Sequence, residues 1–179
     1  MSNILENLVN DENLVWDKNL ANHPEKFVVK LSDSSVNELK ENKNHLQTHK
    51  KESFPTLLNE INSLKTEIII HGVGLLIIEG TCFHNFSKDE IKHIYELICN
   101  MLGTLYVQNI KDEKIVEIKD EGKSMSSGGR YHQTKEGGSY HTDSPHWKDV
   151  PDVVGLFCVN QAKKGGESKF VSTYTIHNQ

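Results

Sequence analysis

The sequence predicts an α+β protein whose C-terminal half is rich in β-strands. Apolar residues recur every three or four positions in residues 34–64 and again in 88–102, which is the spacing of one buried helix face. Branched apolar residues instead cluster in short runs at 73–78 and 153–159, as is typical of buried strands. The predicted order is helices, a strand, a further helix and then several short strands.

The first third of the chain is predicted to be helical. A short helix is expected near the N-terminus, ending before Pro24, with Trp16 as a packing anchor. The serines and aspartate at 32–35 are N-cap candidates for a second, highly charged helix over about 34–50. Pro55 suits the first turn of a third helix, whose leucines and isoleucines share one face.

The middle of the chain is predicted to contain one strand and one helix with clear boundaries. A turn at 71–72 precedes a buried strand over 73–78. Ser87 and Glu90 have the capping-box spacing, in which each side chain can bond to the backbone N–H of the other residue. A helix should therefore begin after Ser87, bury one apolar face and end at Gly103.

Short strands are predicted throughout the C-terminal half. Alternation of apolar and polar residues indicates strands over 105–108 and 115–118. Glycine, serine and charged residues indicate a long loop over 120–138. Continuous apolar residues at 153–159 and alternation at 169–175 predict two further strands.

Composition limits the partners that the protein is expected to have. The 179 residues suffice for one domain with a core, which we place at 53–179 behind an N-terminal helical segment at 1–52. The formal net charge of −5 argues against a nucleic-acid partner, because phosphate binding needs a basic surface. No apolar run is long enough to cross a bilayer, so no membrane partner is expected.

The cysteines give an expectation about the redox compartment. Cys82, Cys99 and Cys158 are scattered without the spacing of a metal site. Their odd number and the absence of an export signal favour reduced thiols in a cytoplasmic protein. All three are expected to fill core positions, and Cys158 is predicted to be buried and inert.

A histidine and an aspartate two residues apart form the leading candidate site. His141 and Asp143 lie in the stretch 138–145, flanked by glycine and proline. Alternate residues of an extended strand project to the same face, so both side chains would point together and Thr142 would point away. Ser144 precedes a proline and is expected to be extended. An H-x-D triplet also arises by chance, but its donors make up two thirds of the facial triad that holds ferrous iron.

The surroundings of this pair decide between those interpretations. His-Thr-Asp at 141–143 is followed by a Gly-Leu-x-Cys strand and then by Gly-Gly-Glu-Ser at 165–168. With these motifs the chain resembles the TauD/TfdA family of iron(II)- and 2-oxoglutarate-dependent dioxygenases from about residue 14 to its last residue. The segments that carry the resemblance are 72–80, 102–104, 108–109, 130–134, 141–144, 154–172 and 176–178.

The resemblance implies a fold, a cofactor and an activity. The fold would be a partial double-stranded β-helix, the jelly roll of clavaminate synthase-like enzymes, with N-terminal helices. His141 and Asp143 match two iron ligands, and Ser168 matches a hydroxyl residue that helps to bind the carboxylate of 2-oxoglutarate. Fe(II), with 2-oxoglutarate and dioxygen as co-substrates, would support hydroxylation or desaturation of a small organic substrate. A carboxylate at position 143 argues against the related halogenases, which need a non-ligating residue there.

The loop before the pair holds further candidates. By the same resemblance Arg130, Gln133 and Thr134 are plausible substrate-side residues, although stabilisation of the loop suits Arg130 equally well. His132 and His146 are near the pair in sequence and are not expected to bind the metal.

The resemblance is incomplete where the family has its last metal ligand. In the family, later strands supply a second histidine and an arginine that binds 2-oxoglutarate. Here only His146 and His177 follow Asp143, no arginine follows Arg130, and His177 matches a structural stretch. We therefore expect an N-terminal portion of a longer enzyme, a truncated or split reading frame, or half of an assembly completed by another chain. Alone it should be inactive, and the expected protein partners are a second copy or a complementing C-terminal chain.

Two alternatives remain open. The chain could be a catalytically incompetent fragment that acts as an interaction module or as half of a split enzyme. A metal-binding cupin is the weaker alternative, because cupins usually carry an H-x-H spacing and this sequence has none.

Overall fold

The computed structural model describes residues 5–109, 111–129, 133–134 and 138–179. The chain divides into two compact units. The first contains the described residues up to Gly103 together with Val171–Gln179, and the second contains those of Thr104–Phe170. In the described residues, regular secondary structure lies almost entirely in the first unit, and the second has one 3-10 turn at Met125–Ser127.

Helices and a small sheet build the first unit. The helices are α1 (Asp33–Glu41), α2 (Pro55–Leu64), α3 (Lys88–Leu102) and α4 (Thr173–His177). Strands β1 (Val28–Val29) and β2 (Ile77–Ile78) pair in parallel, with Val28 opposite Ile77. Shorter segments are the 3-10 turns Lys18–Asn22, Pro24–Lys26, Lys43–Thr48, Lys51–Ser53 and Gly80–Phe83, and the π-helical turn Lys65–Ile70 that continues α2.

The predicted N-terminal helices are present but more broken than expected. The helix expected over 34–50 is α1 followed by the 3-10 turn Lys43–Thr48, with the break at Asn42. The amide of Asn42 bonds back to the Glu38 carbonyl at 3.0 Å, which closes the last α-helical turn. The third predicted helix begins at Pro55 as expected and runs on into the π-helical turn.

Helix α3 confirms the predicted boundaries. The Ser87 amide donates to Glu90 Oε2 at 2.7 Å, and the Glu90 amide donates to Ser87 Oγ at 3.2 Å. This capping box satisfies backbone donors that have no partner within the helix. Gly103 follows the last helical residue, and its amide bonds to the Cys99 carbonyl at 3.0 Å.

Helices α1 and α2 cap each other through their side chains. Glu38 of α1 accepts from the amides of Thr56 and Leu57, at 3.0 and 2.9 Å, at the start of α2. Glu60 of α2 accepts from the amide and hydroxyl of Ser32, both at 2.8 Å, and from the Ser35 hydroxyl, at the start of α1. Negative charge is favourable at both positions because the helix dipole is positive at its N-terminus. The two helices are thereby fixed to one another.

The core of the first unit lies between α1, α2 and α3. Their apolar faces meet, as the three- and four-residue spacing predicts. The apolar side chains that are at most 1% exposed are Leu39, Leu46, Phe54, Leu57, Ile61, Ile94 and Leu97. Half-buried Leu58, Ile91 and Cys82 pack against this cluster.

The predicted strand over 73–78 is too long. Only Ile77–Ile78 pairs, because the π-helical turn reaches Ile70 and the chain must then reverse. Gly74 has a φ of 74°, a left-handed conformation that interrupts an extended strand, and its amide bonds to the Ile68 carbonyl at 3.0 Å. This turn terminates the helix and delays the strand.

The predicted C-terminal strands are wrong. Residues 105–108, 115–118 and 153–159 form no strand in the described part of the second unit, and the double-stranded β-helix is not confirmed. The coarser prediction holds, since helices occur with a small sheet. An apolar pattern indicates that a segment suits extended geometry, but a strand also needs a neighbour that completes its backbone hydrogen bonds. No such ladder forms among the described residues there, and Leu156 is 65% exposed instead of buried.

The segment predicted as a strand over 169–175 contains the start of α4. Ser172 precedes this short helix and its hydroxyl accepts from the Thr175 amide at 3.2 Å, an N-cap that the alternating pattern did not reveal. Asn178 donates to the Val9 carbonyl at 2.7 Å and accepts from the Val9 amide at 3.0 Å. Side-chain bonds therefore hold α4 to the N-terminal segment.

Two further expectations concern the cysteines and the membrane. Cys82 and Cys99 are half-buried, whereas Cys158 is exposed, so its predicted burial is wrong. The reason is the missing ladder around 153–159, which leaves that segment uncovered. Among the described residues, no helix is both long and apolar enough to cross a membrane.

Candidate metal centre

The structure brings the side chains of His141 and Asp143 together in the second unit. His141 Nε2 lies 3.4 Å from Asp143 Oδ1, and the two side chains are 58% and 50% exposed. The short strand predicted around them does not form in the described residues. Their convergence instead depends on the turn that follows.

That turn begins at Ser144, where the prediction of extended backbone is wrong. Ser144 has a φ of 47°, in the left-handed region, and its carbonyl accepts from the Trp147 amide at 3.0 Å. The proline at 145 disfavours the right-handed helical region for Ser144. The chain instead changes direction there through the left-handed conformation of Ser144. The Trp147 ring packs edge-on against Tyr106, with ring centroids 6.4 Å apart.

The imidazole of His141 has a defined orientation. Its Nδ1 lies 2.8 Å from the carbonyl oxygen of Ser139. A carbonyl can only accept, so Nδ1 carries the proton, and in the neutral ring Nε2 then has the lone pair that faces Asp143. A backbone carbonyl in this role is the usual support of a histidine that binds a metal. Sequence reasoning missed Ser139, because a carbonyl contributed by the backbone leaves no side-chain signal.

These two side chains fit a metal ion. Ligand bonds of about 2.1 Å allow one ion to contact two donors up to about 4.2 Å apart, and 3.4 Å is within that reach. An imidazole nitrogen with a carboxylate oxygen is a donor set that suits ferrous iron. As an ion pair without metal, the contact would contribute little, because each side chain is at least half exposed. In the part of the chain that the structure describes, no three His, Cys, Asp or Glu side chains are placed to hold one ion.

Ser168, the residue expected to bind 2-oxoglutarate, is exposed and lies shortly after two glycines. Gly165 and Gly166 have φ values of 76° and 80°, which residues with a side chain rarely adopt. Among the described residues, no hydrogen bond joins Ser168 to His141 or Asp143.

The loop candidates have structural contacts where they are described. Gln133 donates from its side chain to Glu121 Oε2 at 3.0 Å, and its carbonyl accepts from the Glu121 amide at 3.0 Å. Lys123 bonds to the same carboxylate at 2.8 Å and lowers the pKa of Glu121. Thr134 is buried, with 7% of its surface exposed. Arg130 and His132 lie outside the described residues.

The two histidines that follow Asp143 in the sequence were not expected to bind the metal. His146 is exposed on the turn after the pair. His177 belongs to α4 in the first unit, where its Nε2 lies 3.1 Å from the Asn7 carbonyl. A packing role fits that contact.

Comparison with known proteins gives a curated relative and a family. FR-33289 synthase from Streptomyces rubellomurinus (strain ATCC 31215) is 32% identical over 114 residues, which are 63% of this chain and 32% of that protein. The chain thus spans about a third of the length of the curated relative that it matches. No solved structure matches. Residues 36–179, which include the His141–Asp143 pair and Ser168, match the model of one protein family. The chain therefore belongs to the taurine catabolism dioxygenase TauD, TfdA family.

Proposed function

We propose that the chain acts in an Fe(II)- and 2-oxoglutarate-dependent oxygenase that hydroxylates or desaturates a small organic substrate. Family membership supports the reaction class, because enzymes of this family generally use Fe(II), 2-oxoglutarate and dioxygen. The observation that carries the proposal is the 3.4 Å approach of His141 Nε2 to Asp143 Oδ1. A small-molecule substrate also agrees with the name of the relative, which describes synthesis of a single compound.

Each residue of the proposed site has a distinct task. His141 holds the metal through Nε2, and the Ser139 carbonyl keeps the ring in the tautomer that this requires. Asp143 supplies an anionic oxygen that partly neutralises the metal charge. The Ser168 hydroxyl donates to a carboxylate oxygen of 2-oxoglutarate. When bound, iron with 2-oxoglutarate supplies the oxidising power for attack on a C–H bond, while the protein provides ligands and orientation.

Metal binding is the first property to measure. Anaerobic addition of Fe(II) and 2-oxoglutarate should give the visible absorbance band of the iron–oxoacid complex. Replacing either His141 or Asp143 by alanine should abolish the band, because one side-chain donor then remains. His146→Ala is the matched control, since that exposed histidine lies three residues from Asp143 and should leave the band unchanged. A band that survives both ligand variants would refute the assignment.

The role of Ser168 needs a separate test. Ser168→Ala should weaken binding of 2-oxoglutarate by about tenfold, as expected for one lost hydrogen bond to a charged group. Binding of Fe(II) alone should not change. Ser126→Ala is the matched control, because Ser126 is another exposed serine of the second unit. Ser172→Ala is unsuitable, because Ser172 caps α4. Equal 2-oxoglutarate affinity in the wild type and Ser168→Ala would remove Ser168 from the site.

A second candidate function rests on the exposed apolar residues of the second unit. Val154, Leu156 and Phe170 are 54%, 65% and 53% exposed, an arrangement that suits contact with another chain. In that case this chain supplies the His141–Asp143 pair and a complementing chain completes the centre. Metal and 2-oxoglutarate binding without formation of succinate would favour this second function. Succinate formed by the purified chain, and lost in Asp143→Ala, would favour the first.

A further inference from the structure

A second group of polar side chains lies in the first unit and consists of His49, His93 and Glu96. His49 follows the 3-10 turn Lys43–Thr48, and His93 and Glu96 belong to α3. Residues three apart on a helix lie on one side, so both α3 side chains face the same neighbour. Nothing in the proposed oxygenase reaction uses these residues.

The backbone of His49 has an uncommon conformation. Its φ is 48°, in the left-handed region, where non-glycine residues are infrequent, and its amide bonds to the Leu46 carbonyl at 3.2 Å. This conformation ends the 3-10 turn and directs the imidazole onto α3. The His49 side chain is only 20% exposed.

The two imidazoles meet through their nitrogens. His49 Nε2 lies 3.0 Å from His93 Nδ1, and the ring centroids are 5.1 Å apart with planes inclined by 40°. Without metal, one nitrogen donates a hydrogen bond to the other. The same spacing is close to that of two adjacent ligands of one metal ion, because bonds of about 2.0 to 2.1 Å separated by roughly 90° to 110° place the donors about 3.0 to 3.4 Å apart.

Glu96 determines which nitrogen of His49 carries the proton. Its Oε1 lies 3.5 Å from His49 Nδ1, on the side of the ring away from His93. The carboxylate favours a proton on Nδ1 and leaves the Nε2 lone pair directed at His93. A carboxylate behind an imidazole is the recurrent support of histidine ligands, where it fixes the tautomer and raises basicity.

We propose that His49 Nε2 and His93 Nδ1 bind one divalent d-block ion of the Zn²⁺ type, with Glu96 as the supporting carboxylate. Two imidazole donors select borderline transition metals over Mg²⁺ or Ca²⁺. The His93 proton moves from Nδ1 to Nε2 through solvent, so neutral imidazoles bind the ion with no net release of protons. In the described residues no third side chain joins the site, and water completes the coordination. The ion links the end of the 3-10 turn to α3.

Zn²⁺ titration by calorimetry tests the site in a chain that carries His141→Ala and Asp143→Ala. That background removes the proposed iron ligands, so failure of either proposal can be recognised separately. One equivalent should bind, and both His49→Ala and His93→Ala should abolish binding. Glu96→Gln should weaken it by about tenfold or more. His45→Ala is the matched control, because this exposed histidine lies on the same 3-10 turn and should bind Zn²⁺ as the parent does.

A measurement on the unsubstituted chain guards against variants that misfold. Imidazole ¹⁵N shifts should move on addition of Zn²⁺ at Nε2 of His49 and at Nδ1 of His93. The Nδ1 assignment is specific, since exposed histidines mostly offer Nε2. The melting temperature should rise with Zn²⁺ concentration in the parent and in His45→Ala. Unchanged shifts at both nitrogens, or equal binding by His49→Ala and the parent, would overturn the proposal.

Discussion

Glu60 shows how one side chain can determine the start of a helix that is distant in sequence. Its carboxylate accepts from Ser32 N and Oγ, both at 2.8 Å, and from the hydroxyl of fully buried Ser35. Water can replace the acceptor at exposed Ser32, but removal of the carboxylate leaves the buried Ser35 hydroxyl without its charged partner. The bond is therefore worth more than an exposed contact of the same chemistry.

We predict that Glu60→Ala destabilises the first unit by about 1 to 3 kcal/mol, mainly because the buried Ser35 hydroxyl loses its charged acceptor. The measurement is the free energy of unfolding in urea, followed by circular dichroism. Glu67→Ala is the matched control, because Glu67 is exposed and accepts from the nearby Ser63 hydroxyl at 2.5 Å. Equal stability losses in the two variants would contradict the proposed tertiary cap.

Gly72 is the second residue whose identity the fold requires. A Cβ atom at this position would lie 2.6 and 2.7 Å from the carbonyl oxygens of Glu67 and Ile68. Both neighbours are backbone atoms of the π-helical turn, so neither can move aside as a flexible side chain would. The chain reverses here only because no side chain is present.

Gly72→Ala should therefore destabilise the protein by about 1 to 3 kcal/mol through overpacking. Gly80→Ala is the control, since a Cβ there meets nothing within 4 Å. It should change the free energy of unfolding by less than about 0.5 kcal/mol. Thermal melts of both variants would separate them, and an unaffected Gly72→Ala would show that the turn is looser than described.

At the level of elements, α3 carries a charge-dependent cap. The Ser87 amide donates to Glu90, and this bond holds the pKa of Glu90 below its ordinary value of 4.5, with help from Lys43 at 3.0 Å. A carboxylate whose pKa is lower in the folded state than in the unfolded state stabilises the fold at pH values above its unfolded-state pKa. That stability is lost as the pH falls through the folded value.

The stability difference between wild type and Glu90→Gln should thus depend on pH. At pH 7 the wild type should be more stable, because the ionised carboxylate is the better acceptor beside the helix N-terminus. The difference should shrink as the pH falls below about 4.5, where the carboxylate of the wild type takes up its proton. Melting temperatures of both proteins between pH 3 and 7 provide the measurement. A constant difference across that range would exclude the ionised cap.

The same elements explain what could be predicted from sequence. Ser87 and Glu90 lie three residues apart, so their capping box was evident, and α3 begins and ends as expected. The caps that Glu38 and Glu60 provide could not be predicted from the sequence, because their partners lie 18 to 28 residues away. His141 and Asp143 were recognised as a pair by spacing, but the Ser139 carbonyl that orients the ring depends on backbone geometry. The strand predictions were wrong because a strand needs a neighbouring strand to complete its backbone hydrogen bonds. Whether such a neighbour is present depends on the whole fold and cannot be read from the segment itself.

At the level of the whole molecule, the exposed apolar residues of the second unit remain to be accounted for. We call Val153, Val154, Leu156, Val159 and Phe170 the apolar segment; they are between 42% and 65% exposed. Exposed apolar side chains of this kind favour association, because covering apolar area releases water. Self-association is the simplest way to cover it.

We predict that the chain self-associates in a concentration-dependent manner and that Leu156→Lys weakens the association. Covering one leucine side chain contributes about 1.5 to 3 kcal/mol, so its loss should raise the dissociation constant by about tenfold or more. Sedimentation velocity over a range of concentrations is the measurement. Ile118→Lys is the matched control, because Ile118 is 62% exposed in the same unit but lies outside the apolar segment. A chain that stays monomeric, or equal weakening by both variants, would show that the apolar segment is not the interface.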